Sequence, residues 1–352
     1  MKTNGVKRLL NSNQWFCFYI IRSDMFEPKG RTGMLGFIGL VLLTLWPAAS
    51  LAQSIEKAVI AHTSESISLA PLLYGIEKGF YRKEGIDLDF RILRTDLASA
   101  AMVGSTEVDY MYSAGTALRV AARGLPIKVV AYTLKNILFY LMTQPNIRSI
   151  QELKGKKIAV ALPSDTGGLA TKATLKANGL DPDRDVTYIA IGAASIRLVA
   201  MEAGSIEASI MPVPWNIRMK QKGFNELAFA GDYLKEPLTG FSASNEKLEK
   251  NPQQVKKVLR GFLRSMRAFR QDSKEATDFI ARRFRLDPQV ATESYQIVIR
   301  SLSDDGTISE SVMQEFVDTV KKEPGVKKQL TISDLVDFRF IREAAKEIGG
   351  KG

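Results

Sequence analysis

From Lys57 onward two hydrophobic periods take turns along the chain. Short apolar runs fill 57–62, 86–93 and 108–112, and again 157–162, 186–191 and 208–211. Runs of this length, bounded by polar or glycine positions, predict strands buried on both faces. Between them apolar residues recur every three or four positions, which predicts helices over 68–83, up to 103, over 116–122, then over 168–177, up to 203 and over 215–222. Gly85, Gly104, Gly124, Gly179, Gly204 and Gly223 stand where those helices should end in left-handed caps. Strand and helix in alternation imply parallel sheets with helices on both faces.

The pattern repeats. Segment 57–64 (KAVIAHTS) matches 157–164 (KIAVALPS), and 104–111 (GSTEVDYM) matches 204–211 (GSIEASIM), both at an offset of 100 residues. Two correspondences at one spacing point to an internal duplication. After Ser242 the chain turns helical, with apolar positions at Val255, Val258, Leu259, Phe262, Leu263 and Met266. Helices of this kind pack most simply on the first half, which requires the chain to cross back. Crossings near 138–144 and 239–243 then give an α/β protein of two lobes, 53–140 plus 241–352 and 141–240, joined by a two-segment hinge.

At 352 residues, 45% hydrophobic and 25% charged, the chain can bury a sizeable core and divides into about two domains. Its formal net charge is +11, but residues 1–52 hold six Lys or Arg against two acids, which leaves +7 for the remainder. The basic residues after Ala52 are interleaved with acids, and no helix-turn-helix or zinc-knuckle pattern accompanies them, so nucleic acid is not the expected partner. Lys29 and Arg31 precede an apolar run of about 13 residues, 34–46, with small residues at Ser50 and Ala52. That order reads as a secretory signal cleaved after Ala52, and the run is short for a bilayer span. Met25 and Met34 are alternative starts. The single cysteine, Cys17, precedes the cleavage point, so the exported chain would hold no disulfide, no thiolate metal site and no lipid-bearing cysteine there.

The segment PLLYGIEKGFYRKEGI at 71–86 resembles the opening of the substrate-binding proteins that serve ABC importers of sulfonates, taurine, nitrate and thiamine-pyrimidine precursors. SIQELKGKKIAV at 149–160 looks like the start of that family's second lobe. The resemblance runs from about Ile55 to Lys346 and implies the type II periplasmic-binding-protein fold. It further implies a monomer in the periplasm that binds a small organic or anionic solute between its lobes and delivers it to a permease of the inner membrane, without a cofactor. The first motif itself reads as scaffold: Gly79 ends a helix, Phe80 and Tyr81 bury against the sheet, and Gly85 turns the chain into the next strand.

In open parallel sheets ligands bind beyond the carboxyl ends of the strands. That rule selects Thr63 and Ser64 after the first strand, Ser113, Gly115 and Thr116 after the third, and Ser164, Asp165, Thr166, Gly167 and Trp215 in the second half. Hydroxyls and free backbone N–H groups at 164–168 suit an oxyanion, although Asp165 serves equally as an ordinary helix cap and its charge favours a ligand with an N–H. Trp215, after Pro212 and Pro214, either covers the ligand or packs in the core. His62, the sole histidine, reads as structural, and Arg94 and Thr95 are weaker candidates.

Three other functions compete. Thiamine-pyrimidine synthases and porphobilinogen deaminases look alike in fold but need cysteines that this chain lacks after residue 52, so an enzyme is not expected. A transcriptional regulator would carry a DNA-binding helix pair where the signal stands. A ligand-sensing partner of a membrane receptor would use the same clamp.

Overall fold

The computed structural model describes residues 55–62, 66–93, 95–105, 107–323, 325–326 and 329–349. The expected signal segment, Thr63, Ser64 and Arg94 lie outside the described residues. The first half runs β1 (Glu56–His62), α1 (Ala70–Glu77), α2 (Phe80–Lys83), β2 (Ile86–Ile92), α3 (Thr95–Gly104), β3 (Tyr110–Met111), α4 (Ala114–Ala122) and β4 (Ile127–Leu134). The second runs β5 (Phe139–Thr143), β6 (Lys157–Val160), α5 (Thr166–Ala177), β7 (Thr187–Ala190), α6 (Ala194–Glu202), β8 (Ala208–Pro212), α7 (Trp215–Gln221) and β9 (Asn225–Phe229). β10 (Thr239–Ser244) follows, and then α8 (Asn245–Lys250), α9 (Pro252–Gln271), α10 (Ser273–Phe284), α11 (Pro288–Ser301), α12 (Glu310–Val320), α13 (Ile332–Leu335) and α14 (Arg339–Glu347).

Two five-stranded sheets result, in the orders β2-β1-β3-β10-β4 and β7-β6-β8-β5-β9. The duplication read from the sequence holds down to register. Ile60 pairs with Tyr110 between parallel β1 and β3, and Ile158 with Ala208 between parallel β6 and β8, a separation of 50 residues in each. In each sheet one strand runs antiparallel to both its neighbours: β10 in the first, β5 in the second.

Burial follows the period-two pleat. Ile60, Tyr110 and Phe241 face a core completed by Tyr74, Phe262, Phe269 and Phe279, while Ala61, Met111 and Val129 face the opposite one with Leu118 and Phe316. In the second sheet Ile158, Val160 and Ile210 face one side, and Ala159 and Met211 the other. The helical C-terminal region packs on the first sheet as expected, with Val255, Val258, Leu259, Phe262, Leu263 and Met266 of α9 all buried. α9 comes unusually close to α1 and α2: a Cβ added at Gly261 would stand 2.7 Å from the Tyr81 ring, and one at Gly75 would stand 2.5 Å from Ser265 Oγ. Tyr81 is therefore scaffold, as the sequence indicated.

Three expectations need correction. The helix expected over 68–83 is a 3-10 turn followed by α1 and α2, broken at Gly79, whose φ of 71° ends the first helix. Gly104 makes no left-handed cap: it is the last residue of α3, whereas Gly85, Gly124, Gly179, Gly204 and Gly223 all take positive φ. Both crossings come earlier than expected, at 135–138 and 230–238, because Phe139 already pairs in the second sheet and Thr239 already pairs in the first. The apolar run from Ile137 to Met142 hides that break from a local reading.

Candidate functional site

The strand ends that the sequence selected do converge. Beyond β3 the chain enters α4 through Ser113, and beyond β6 it enters α5 through Asp165. A Cβ added at Gly115 would lie 3.9 Å from Thr166 Oγ1 and 3.0 Å from the Pro237 carbonyl. The first turns of α4 and α5, one from each lobe, therefore meet beside the second crossing. Gly167 is buried there and Thr116 is half-buried, whereas Ser164 is exposed. Ser113 precedes α4 without capping it, and its buried hydroxyl has no hydrogen-bond partner.

Asp165 is occupied by its own chain. Its Oδ1 accepts from Gly168 N at 2.8 Å and its Oδ2 from Leu162 N at 3.2 Å, the geometry of a helix cap. Burial pushes its carboxyl above the usual range, with those N–H bonds and the charge of Arg197 opposing the rise. Gly168 permits the tight loop, since a Cβ there would come 2.4 Å from the Leu162 carbonyl.

Arg197 was not selected from the sequence. Buried on α6, it donates through Nη1 to the carbonyls of Ile191 and Gly192, both at 2.8 Å, and so fixes the loop after β7 beside Asp165. Burial pulls its guanidinium down to about 10, against the charge of Asp165. An arginine among alanine, isoleucine and leucine was the available signal. Arg119 and Glu236 were missed as well. They form a buried ion pair between α4 and the second crossing, with Glu236 Oε2 left without a partner about 3.9 Å from where a Gly115 Cβ would stand. His62 is buried, its ring tilted against Tyr112 at 6.3 Å, in keeping with a structural place.

Trp215 opens α7 and divides its two expected roles. It is half-buried, packs partly on the second lobe's core, and lies 5.0 Å from the Arg218 guanidinium. Its remaining surface lines a cavity of about 400 Å³ shared with Ser66, Arg218, Arg283, Phe284 and Arg285. Ser66 directly follows the 63–65 segment, so this cavity joins the loop after β1 to the loop after β8. A larger hollow of about 670 Å³ runs along both crossings, past Lys135, Asn136, Lys235 and Arg300. It contains none of the strand-end loops, and the smaller cavity is the better placed for a ligand. Among the described residues no group of His, Cys, Asp and Glu could hold a metal ion.

Residues 66–276 match the family model described as NMT1/THI5 like. A candidate binding protein of Brucella abortus is 28% identical over 222 residues, covering 62% of this chain and 68% of that protein. A candidate aliphatic sulfonates-binding protein of Bacillus subtilis is 27% identical over 303 residues, 81% of this chain and 88% of its own. In structure the chain is similar to the alkanesulfonate-binding protein SsuA from Xanthomonas axonopodis pv. citri bound to MOPS. The TM-score is 0.67 at 18% identity, over 81% of this chain and 99% of that one. That likeness, with the strand orders above, shows the type II periplasmic-binding-protein fold. With the family model matched across more than half of its length, the chain belongs to the NMT1/THI5-like family.

Proposed function

We propose that the protein is an extracytoplasmic solute-binding protein that captures a small organic or anionic molecule between its lobes and delivers it to an ABC importer. The observation that carries this reading is the meeting of Gly115 and Thr166. Helix starts from two duplicated sheets face each other across the joint formed by two chain crossings. The lobes are joined covalently at 135–138 and 230–238 and also meet through Val213 and Ile217, which pack in the first lobe's core, and a ligand touching both lobes favours closure through its differential affinity. The relatives named above are binding proteins, which supports binding rather than catalysis.

The ligand contacts in this reading are Ser113, Gly115, Thr116, Ser164, Thr166, Gly167 and Trp215, with Thr63 and Ser64 from the loop after β1. Asp165 acts through the loop that it caps. In this reading the chain is released into the periplasm as a monomer after cleavage at Ala52. A ligand at 100 times its dissociation constant adds about 2.7 kcal/mol of stability, so a thermal-shift screen over sulfonates, nitrate, aromatic acids, pyrimidines and polyamines should find a stabilising class. Small-angle scattering with that compound should give a smaller radius of gyration. A ligand that stabilises the chain while leaving the radius unchanged removes the clamp mechanism.

A further inference from the structure

The two crossings are held for most of their length. On the second, residues 230–234 stay with the second lobe: Ala230 is buried in its core, Leu234 packs against it, and the Leu234 N–H closes a turn on the Ala230 carbonyl at 3.0 Å. From Pro237 the chain belongs to the first lobe. The Pro237 carbonyl would lie 3.0 Å from a Cβ on Gly115, and Leu238 N donates to the Leu134 carbonyl at 3.0 Å. On the first crossing Lys135 is held to the first lobe, its N–H on the Ser301 carbonyl at 2.8 Å and its ammonium on Asp304 at 3.3 Å, whereas Ile137 is buried in the second lobe's core. Asn136 and Lys235 lie between these anchors. Neither gives its N–H to a backbone carbonyl among the described residues, and both line the hollow of about 670 Å³. Leu138 packs in the first lobe's core and Leu238 against the cores of both lobes, which places an apolar pivot beside the two.

Glu236 decides where the loose stretch of the second crossing ends. Its side chain is buried, a costly place for a carboxylate without a cation. Arg119 of α4, also buried, donates from Nη2 to Glu236 Oε1. The Arg119 guanidinium lies 5.9 Å from the Phe316 ring centre and its Nε 3.9 Å from Glu323, which accepts from Arg123 at 3.0 Å, so α12 and the residues just after it set its place. Removing either partner leaves a buried charge uncompensated. We propose that Arg119 is a positioning residue: by clamping Glu236 to α4 it keeps 236–238 on the first lobe, and the lobes turn about Asn136 and Lys235 alone. The inference takes the two-lobed clamp from the solute-binding reading and adds where it bends and what confines the bend.

The test is residue-resolved hydrogen exchange on the full chain without any solute. In the parent, the amides of Lys135 and Leu238 should exchange at least about tenfold more slowly than those of Asn136 and Lys235. R119M and E236Q should each speed Leu238 about tenfold or more and change Phe241 and Ser242, farther along β10, less than about twofold. Small-angle scattering should then give both variants a larger radius of gyration than the parent, because the second crossing bends over four residues instead of one. If R119M does not fold, E236Q carries the test, since glutamine keeps the shape and one hydrogen bond to Arg119. A parent in which Leu238 exchanges as fast as Lys235 overturns the proposal. So do variants that keep the parent's Leu238 protection and radius, and so does a loosening spread evenly through β10, which assigns Arg119 to folding alone. None of these outcomes touches solute binding, which stands or falls with the screen above.

Discussion

The two sheets share one strand order and differ in what lies over them. At the same step between first and third strand, Asp109 accepts from Val59 N at 2.8 Å in the first lobe, while Ser209 donates to the Ala159 carbonyl at 3.1 Å in the second. The charged version is possible because α8 lies above it, where Lys247 meets Asp109 at 2.6 Å. In the second sheet the equivalent residue is a fully buried, neutral serine. Duplication thus preserves the backbone pairing, and the side chain at each copy follows the element packed on it. The strand ends diverge in the same way, with a small Ser113–Gly115 turn in one lobe and the bulky Pro214–Trp215 turn in the other.

The heaviest blow to this comparison falls on the cover itself. Phe262 of α9 is fully buried, its ring centroid 4.9 Å from that of Phe241 on the first sheet, so Phe262→Ala should cost about 3–5 kcal/mol in a denaturant melt. If the lobes are energetically separate, that melt should split, with the second lobe unfolding later. A single transition shifted as a whole shows that the α7–α11 contacts couple them. Gly168→Ala attacks the second lobe instead: its Cβ would clash with the backbone of Leu162 and Pro163, for an expected loss of about 2–3 kcal/mol. An unchanged melting temperature would mean that the loop moves aside freely.

Trp215→Ala sharpens the difference between these two turns. With part of its surface on the cavity, it should weaken a ligand identified by the screen by about 1–3 kcal/mol on substitution, and should cost stability less than a fully buried aromatic would. Calorimetry beside a denaturant melt separates the two, and unaltered affinity removes Trp215 from the site.

The smallest effect is a difference of sign in acid. Asp165, in the second lobe, has its carboxyl pushed up by burial, so its folded form takes up a proton first. Its contribution to stability therefore rises as pH falls through the folded value, and is complete below the ordinary aspartate value. Glu56, in the first lobe, is held down chiefly by its hydrogen bond from Lys257. Its stabilisation is present above the ordinary glutamate value and is lost as pH falls through the lower folded one. Melts in a pH series should show the acid-side gain missing in Asp165→Asn, which keeps the cap, and the acid-side loss missing in Glu56→Gln. An Asp165→Asn chain with the parent's acid slope counts against the burial of that carboxyl.

Much of this architecture was legible before any coordinates. The alternation of apolar runs and helical stripes reports which faces are buried, and it yielded β1 to β3, β6 to β8 and the helices between them. The 100-residue offset then required the two sheets to be built alike, down to a register difference of 50 in both. Gly115 and Thr166 could be named because a strand end followed by a helix start is a local pattern. Tertiary structure decided the remainder, since strand pairing across a crossing leaves no local trace. The run from Ile137 to Met142 is apolar throughout, and only its partners β8 and β9 reveal that its strand begins at Phe139. The same holds for the arginines beside Trp215. Arg283 and Arg285 sit about 70 residues beyond Trp215 in a stretch whose periodicity reports nothing but helix, and it is the packing of α11 on α7 that brings them to it.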